Sequence, residues 1–144
     1  MRILVDADAC PVKHVVITVA KEHRLSVVMF IDTSHQLNDG YSEVVTVDTQ
    51  QDSVDIALIN RTNSEDIVVT QDYGLAATVL GKGARAINQN GLIYSSENMD
   101  RLLFERYISQ KIRRSGGRTS GPRKRMKADD ESFESALREM INQN

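Results

Sequence analysis

Five aspartates could do chemistry in this sequence, because carboxylates that converge can hold a divalent cation. Asp6 and Asp72 each follow a short run of β-branched and aliphatic residues, and Asp8 lies two residues after the first of them. Asp52 and Asp55 lie three residues apart, so a helix presents both on one face. Converging carboxylates repel one another until protons or a cation neutralise them. Hard oxygen ligands favour Mg²⁺ or Mn²⁺, and such an ion activates water and stabilises charge on a phosphoryl group.

Short apolar runs alternate with helical patterns along the chain, and these elements must position the aspartates. The predicted strands are Arg2–Val5, Leu25–Ile31, Val44–Val47, Ile67–Thr70, Ala84–Ile87 and Gly91–Tyr94. The predicted helices run from Pro11 to about His23, over Ser53–Asn60, over Leu75–Leu80, from Ser96 to about Arg113, and through Phe133, Leu137 and Ile141. This alternation predicts an α/β fold with a mostly parallel central sheet that is covered on both faces.

Ligands of such sheets bind beyond the carboxyl ends of the strands. Asp6, Asp32, Asp48 and Asp72 each follow a predicted strand, so we expect all four at one edge. Aspartate is also common in turns after strands, and we favour that role for Asp32 and Asp48. For Asp6 and Asp72 we favour metal binding, since the pattern of their strands is typical of central ones. Asp8 either supports a metal ligand or caps the next helix.

Composition places the chain among single-domain globular proteins. It has 144 residues, of which 40% are hydrophobic and 26% charged. The single cysteine, Cys10, excludes an internal disulfide, and no Cys/His spacing predicts a zinc site. The first residues turn acidic at Asp6, unlike a signal peptide, and no apolar window reaches the length of a membrane span. We expect a cytoplasmic protein with no membrane partner.

Charge divides the chain into three parts. Residues 1–110 carry a net charge of −6, residues 111–128 carry +8, and residues 129–144 carry −4. Glycines break the pattern in the middle part. We therefore predict a domain over residues 1–114, a basic Gly/Arg-rich loop over 115–128, and a C-terminal helix over 129–144 that packs on the same domain.

The basic part favours contact with nucleic acid, because arginine forks match phosphates and flexible basic segments bind them electrostatically. The candidate residues are Arg113, Arg114, Arg118, Arg123, Lys124, Arg125 and Lys127. A solvated linker, or a loop that folds back onto the acidic body, explains the same pattern.

Lys13, His35 and Asp52 are supporting candidates. Lys13 could reach the acidic edge or a phosphate, and His35 follows the second strand on the same predicted edge as Asp6. Each also fits an ordinary solvated or hydrogen-bonded side chain. Asp52 is a natural N-cap, and capping explains it as well as metal binding does.

The segment Asp6-Ala7-Asp8-Ala9-Cys10-Pro11-Val12-Lys13 resembles the signature of the bacterial YaiI/YqxD family, which is placed near PIN-like and NYN nucleases. Asp52-Ser53-Val54-Asp55 is similar to the D-x-x-D helix start of that family. Residues Val68–Ala76 are similar to its strand-four motif, and Gly121-Pro122 with the helix that follows resembles its C-terminal segment. The resemblance covers nearly the whole chain.

This resemblance implies a three-layer α/β/α sandwich of the PIN type. It also implies the chemistry of PIN-like nucleases, which use a few acidic residues and Mg²⁺ or Mn²⁺ to cut RNA or DNA. Carried over by position, Asp6, Asp55 and Asp72 are the metal-binding and catalytic set, with Asp8 and Asp52 as supporting members. We therefore expect a divalent-metal-dependent nuclease whose partner is nucleic acid, RNA before DNA.

Two other functions stay open, and one of them is not an enzyme. The stretch from Tyr73 to Gln89 has no acid, and together with the Arg/Gly segment this favours a non-catalytic nucleic-acid-binding module. Asp6-x-Asp8 after the first strand also resembles haloacid-dehalogenase-type phosphatases, which use the first aspartate as nucleophile. Those enzymes need a later lysine and an acidic pair, which Lys82 and Asp72 do not provide, so we rank this function third.

Overall fold

The computed structural model of the chain describes residues 1–33, 35–48, 50–51, 53–119 and 123–143, and these residues form five strands and five helices. The strands are β1 (Arg2–Asp6), β2 (Ser26–Asp32), β3 (Glu43–Val47), β4 (Ile67–Val69) and β5 (Arg85–Ile87). The helices are α1 (Lys13–His23), α2 (Val54–Arg61), α3 (Tyr73–Gly81), α4 (Ser96–Arg114) and α5 (Lys127–Asn142).

The strands form one sheet in the order β3-β2-β1-β4-β5, and every neighbouring pair is parallel. The chain adds β2 and β3 to one side of β1, and then returns to add β4 and β5 to the other side. The boundary between β1 and β4 is therefore the point where the direction of winding reverses. Sheets of this kind bind ligands outside that point, at the carboxyl ends of the strands.

The core lies on both faces of the sheet, because side chains of a strand alternate between them. Ile3 and Val5 of β1 are fully buried against α1 and α5, and Leu4 is fully buried against α2, α3 and α4. Helices cover each face of a parallel sheet, so the predicted three-layer α/β/α architecture is confirmed. Of the helices described, none combines the length and the apolar character that crossing a membrane requires.

The predicted sixth strand, Gly91–Tyr94, is wrong. The segment makes one isolated antiparallel bridge, between Ile93 and Ile87, and otherwise follows a turn. Gly91 has a φ of +90°, and a Cβ atom there would lie 2.6 Å from the carbonyl oxygen of Ser132. The close approach of α5 to this turn therefore shapes the backbone, and a run of apolar residues alone does not reveal that packing.

Helix boundaries differ from the predictions where capping side chains decide them. Ser95, rather than Ser96, caps α4, because its Oγ accepts a hydrogen bond of 3.2 Å from the amide of Asn98. Ser53 caps α2 by accepting from the amide of Ile56. Helix α5 begins at Lys127, two residues before the predicted boundary.

The C-terminal helix is part of the core. Its Phe133, Leu137 and Met140 side chains are buried in the same cluster as Ile3 and Val16. The side chain of Arg125 precedes the helix and ties it to the turn before Gly91. It donates to the carbonyl oxygen of Gln89 at 2.8 Å and to Asn90 Oδ1 at 2.7 Å. Residues after the basic segment thus complete the α1 face of the sheet.

Truncating Leu137 to alanine tests this role of α5. Leu137 is fully buried, so the Leu137→Ala variant loses apolar burial and leaves a cavity. We expect the free energy of unfolding to fall by about 2–5 kcal/mol in urea denaturation. Ile56→Ala is the control, since the Ile56 side chain is exposed and its truncation removes little buried area. Equal losses in the two variants would contradict the packing described.

Candidate functional site

The carboxyl ends of β1 and β4 meet at the point where the winding reverses. Strand β1 ends at Asp6, and Thr70 directly follows β4. The Thr70 hydroxyl donates a hydrogen bond of 2.9 Å to Asp6 Oδ2, which links the two strand ends. The backbone of Thr70 is itself fixed, because its amide donates to Ile87 and its carbonyl accepts from the buried Tyr94 hydroxyl at 3.1 Å. This frame holds the Asp6 carboxylate in place.

Asp72 is the N-cap of α3. Its Oδ1 accepts a hydrogen bond of 3.0 Å from the amide of Leu75, and its own amide donates to Thr70 Oγ1 at 3.0 Å. A Cβ atom at position 74 would lie 3.3 Å from Asp72 Oδ1, so glycine leaves room for the carboxylate. Capping thus employs one oxygen of Asp72 and fixes the direction of the other.

Asp55 comes from the first turn of α2, where the Ser53 cap sets the start of the helix. Its carboxyl group is half-buried and lies near that of Asp72, which raises its pKa. The structure therefore brings together the three residues expected to form the metal-binding set. Each comes from a different strand end or helix start.

The pKa values of Asp6 and Asp55 are raised by the surroundings of their carboxyl groups. Burial raises the pKa of Asp6, and the charges of Asp55, Asp72 and Asp8 raise it further, against the lowering effect of the Thr70 hydrogen bond. Burial also raises the pKa of Asp55, and the neighbouring Asp72 carboxylate raises it further. Each shift records a cost of ionisation in the folded protein that a cation would remove.

A second group lies beside the first. Asp8, Asp32 and His35 each offer one ligand atom within 4.8 Å of the others, and among the residues described this is the only such set of three. Asp32 donates its amide to Asp8 Oδ2 at 3.1 Å. The Nδ1 atom of His35 lies 2.8 Å from Asp32 Oδ1 and 3.0 Å from Asp8 Oδ1. These contacts raise the pKa of His35, chiefly through the hydrogen bond to Asp32.

Asp8 Oδ1 is buried from solvent and accepts no hydrogen bond from the residues that the structure describes. One ring N–H of His35 cannot point at both neighbouring carboxylates, and Asp32 is the nearer. The carboxylates of Asp6, Asp55 and Asp72 are spaced more widely than the Asp8 group, since their oxygens do not all lie within 4.8 Å of one another. Two direct ligands of one Mg²⁺ ion, each about 2.1 Å from it, lie at most about 4.2 Å apart. In this arrangement the three carboxylates cannot all bind one ion directly, so at least one of them would bind it through water.

A small cleft opens beside Asp6 and Asp8, towards the turn after β5. Its volume is about 40 Å³, and its walls include Asp6, Asp8, Thr70 and Gln89. A water molecule needs only about 10–15 Å³ of such volume, so the cleft admits an ion with a few waters but not a nucleoside. A larger substrate must therefore lie outside the cleft and present one polar group to it.

The supporting candidates have different positions. Lys13 Nζ donates to the carbonyl of Ala7 at 3.1 Å, in the loop after β1. His35 joins Asp8, as described above. Asp48 accepts a hydrogen bond of 3.0 Å from the amide of Gln50, which agrees with a turn role. Asp52 lies outside the described residues; Ser53 holds the N-cap position of α2, and a role of Asp52 as a metal ligand stays a prediction.

The basic candidates divide into two groups. Arg123 forms an ion pair with Asp129, and Arg125 forms one with Asp130 at 2.7 Å, so both fold back onto the first turn of α5. Arg113 lies in the last turn of α4 and donates to Thr119 Oγ1 at 3.1 Å. The remaining four basic side chains are exposed: Arg114, Arg118, Lys124 and Lys127.

Two residues of this edge have roles that the sequence does not predict. Asp32 is expected at this edge, but only as a turn residue, and Thr70 is expected in a strand without a role. The parallel register pairs Asp6 with Phe30 and Val5 with Val69. Continued by one or two residues, it sets Thr70 beside Asp6 and Asp32 beside Asp8. Only the order of the strands in the sheet would have identified these two residues, and local sequence patterns do not determine that order.

Residues 4–143 match the family described as uncharacterized YaiI/YqxD. The chain belongs to the YaiI/YqxD family. A UPF0178 protein of Ruminiclostridium cellulolyticum is 66% identical to it over 95% of this chain and 90% of that protein. A UPF0178 protein of Clostridium kluyveri is 55% identical over 98% of this chain and 93% of that protein. No solved structure matches. The resemblance to the YaiI/YqxD family is therefore confirmed over nearly the whole chain.

Neutralising Asp6 should stabilise the metal-free protein at neutral pH. Below the ordinary pKa of 3.8, Asp6 is protonated in both the folded and unfolded states, and Asp6→Asn changes little. As the pH rises, the unfolded state ionises first, so the wild type loses stability that the variant keeps. Thermal unfolding in a chelator, between pH 3 and pH 8, measures this difference. The control is Asp48→Asn, which alters an exposed strand-end aspartate.

A gain for Asp6→Asn that is equal at all pH values would contradict the electrostatic origin, because only an ionisable group makes it depend on pH. An equal gain in stability for Asp48→Asn would show that the effect does not depend on the buried position of Asp6, because neutralising an exposed strand-end aspartate would produce it as well.

Proposed function

We propose that this YaiI/YqxD protein is a divalent-cation-dependent hydrolase that cleaves phosphodiester bonds of nucleic acid, with RNA as the first candidate substrate. The observation that carries the proposal is the convergence of Asp6, Asp55 and Asp72 at the switch point of the sheet. Burial, and after it the charges of the neighbouring carboxylates, raises the pKa of Asp6 and Asp55. A group of carboxylates at a ligand-binding edge, each held by a separate element, supports a binding role over a purely structural one.

The side chains present fit Mg²⁺ or Mn²⁺. The three carboxylates supply only oxygen donors, and one oxygen of Asp72 is already used in capping. Asp8 Oδ1 adds a buried oxygen that accepts no hydrogen bond within the described part of the chain. When bound, the ion would supply an activated water and stabilise negative charge at phosphorus. Asp6, Asp55 and Asp72 would hold it, while Thr70 orients Asp6 as a hydrogen-bonding partner of a ligand does.

Nucleic acid is the substrate class that the charges favour. The body carries a net charge of −6 over residues 1–110, so an anionic chain needs a separate basic surface to approach it. Residues 111–128 carry +8, and Arg118, Lys124 and Lys127 are exposed there. Phosphate contacts of this kind hold a strand without reading its sequence. The small cleft then needs to receive only the scissile phosphate region.

A non-catalytic nucleic-acid-binding module is the second candidate. It is favoured by the wide spacing of Asp6, Asp55 and Asp72, and by the same exposed basic side chains. This module would use the basic segment for binding and keep the acidic edge as an inactive feature of the fold. Cleavage and binding must therefore be measured separately.

The structure gives little support to a phosphatase of the haloacid dehalogenase type. Lys82 directly follows α3 and donates to the carbonyl of Ile59 at 2.7 Å. Helix α3 starts at the acidic edge and runs away from it, so Lys82 lies at the opposite edge of the sheet. The lysine is thus too far from Asp6 and Asp8 to take part in that chemistry.

The hydrolase proposal predicts that Asp6→Asn and Asp72→Asn each abolish cleavage of a labelled single-stranded RNA in Mn²⁺. We expect a loss of at least about a hundredfold, since each change weakens charge stabilisation in the transition state. Calorimetric titration with Mn²⁺ should show lost binding in the same variants. Asp48→Asn is the matched control and should keep both properties. Unchanged Mn²⁺ binding in Asp6→Asn and Asp72→Asn would refute the proposal.

The binding role of the basic segment is tested by replacing Arg118, Lys124 and Lys127 with glutamine. RNA affinity should fall for all sequences alike. The slope of log affinity against log salt should become shallower by about 0.7 for each phosphate that the protein no longer neutralises. Replacing Lys21 and Arg24 at the far end of α1 is the control. Binding that depends on the segment without any metal-dependent cleavage would favour the second candidate.

A further inference from the structure

Helix α4 extends beyond the body of the protein. It has 19 residues, and its two buried side chains, Met99 and Leu102, both lie in its first two turns. It carries five exposed large apolar side chains: Leu103 (40% exposed), Phe104 (63%), Tyr107 (54%), Ile108 (37%) and Ile112 (41%). Exposed apolar groups that gather on one element, rather than lying singly, mark a surface for interaction.

These side chains face away from the body. Successive residues of a helix are about 100° apart around its axis, which places Met99 and Leu102 on one side and the centre of the exposed set on the opposite side. Among the residues that the structure describes, none covers the outward face of α4. Packing within that part of the chain therefore does not explain why this face is rich in apolar side chains.

The outward face has the spacing of a coiled-coil seam. Six exposed residues, spaced by three, four, three, four and three positions, form what we call the α4 seam: Glu97, Asp100, Phe104, Tyr107, Lys111 and Arg114. This alternation of three and four is the repeat that keeps one stripe of a helix against a partner helix. The seam begins with two acids, continues with two aromatic residues and ends with two bases.

We propose that the α4 seam pairs with the same seam of a second copy of this chain, with the two helices antiparallel. The order of charges carries the inference. In the antiparallel pair, Glu97 lies opposite Arg114 of the partner subunit, and Asp100 lies opposite Lys111 of the partner subunit. Phe104 meets Tyr107 of the partner subunit at the centre. A two-fold axis repeats each contact, as a closed dimer requires.

A parallel pair does not fit this seam. It would place acids against acids at one end and bases against bases at the other, which destabilises a helix pair. The flanking residues agree with the antiparallel register, because Leu103 would face Ile108 of the partner subunit. The seam is thus complementary to itself in charge and in apolar content in one orientation.

Local interactions within α4 stabilise the turns of this helix that do not pack against the body. A capping box of Ser95 and Asn98 starts it. Gly116, with a φ of +84°, ends it in a Schellman motif, in which the amide of Gly117 donates to the carbonyl of Ile112 at 3.0 Å. Arg101 and Glu105 add an ion pair of 3.1 Å one turn apart. The seam is therefore presented as a preformed surface, which lowers the entropic cost of association.

A nucleic acid strand is a less suitable occupant. Phe104 and Tyr107 could stack on bases, but Glu97 and Asp100 would repel phosphates at one end of the seam. A second copy supplies bases opposite those acids and apolar rings opposite the aromatic pair. The acidic end of the seam thus favours self-association.

Charge reversal tests the proposal with the full chain. One variant combines Glu97→Lys with Asp100→Lys, and the other combines Lys111→Glu with Arg114→Glu. Wild type freed of nucleic acid should move from 16.1 kDa towards twice that mass as concentration rises in light scattering. Each variant alone should remain monomeric over the same range. An equal mixture of the two should recover the dimer, because every contact again joins opposite charges.

Controls separate the seam from general effects. Phe104→Asp should abolish the dimer, whereas Ile56→Asp, which alters another exposed apolar residue, should not. Circular dichroism checks that each variant is folded. The proposal is wrong if the wild type stays at 16.1 kDa at every concentration, or if the two reversed variants fail to associate when mixed. A rise in mass that appears only after RNA is added would identify nucleic acid as the occupant instead.

Discussion

The parallel pairing of β1 with β4 is the constraint on which the acidic edge depends. It aligns Val5 with Val69, and so brings Asp6 beside Thr70 with a hydrogen bond of 2.9 Å between their side chains. The same Thr70 hydroxyl accepts the amide of Asp72 and so fixes the start of α3. A slip of one residue in this pairing would turn the Asp6 side chain to the other face of the sheet. Fully buried aliphatic side chains on both strands hold the register.

That register brings together groups that repel one another. Burial and three neighbouring carboxylates raise the pKa of Asp6, so the ionised site opposes folding at neutral pH. The sheet tolerates the repulsion because its core is formed by side chains elsewhere, on two covered faces. Sites that cost stability in this way are common where a protein binds a ligand that relieves the cost. The stability of the sheet therefore allows the acidic edge to keep carboxylates that repel one another.

Sequence patterns predicted the features that are local. The strand that ends at Asp6, the α1 and α4 helices and a parallel sheet covered on both faces follow from short apolar runs and helical spacing. The roles of Asp32 and Thr70 do not, because they come from the order of the strands, which brings distant segments into register. The apolar pattern of Gly91–Tyr94 predicts a strand, whereas the structure has a turn there, because its shape depends on a contact with Ser132, 41 positions further along the chain. Helix α5 begins at Lys127 rather than at residue 129, because its first residues belong to the basic segment, whose composition predicts a loop.

The most direct test of the central claim is a crystal structure of the protein soaked in Mn²⁺, with anomalous differences measured to locate the ion. The account predicts a manganese peak bounded by the carboxylates of Asp6, Asp55 and Asp72, with water completing its coordination. A peak held only by Asp8, Asp32 and His35, or no peak at the carboxyl ends of β1 and β4, would contradict it.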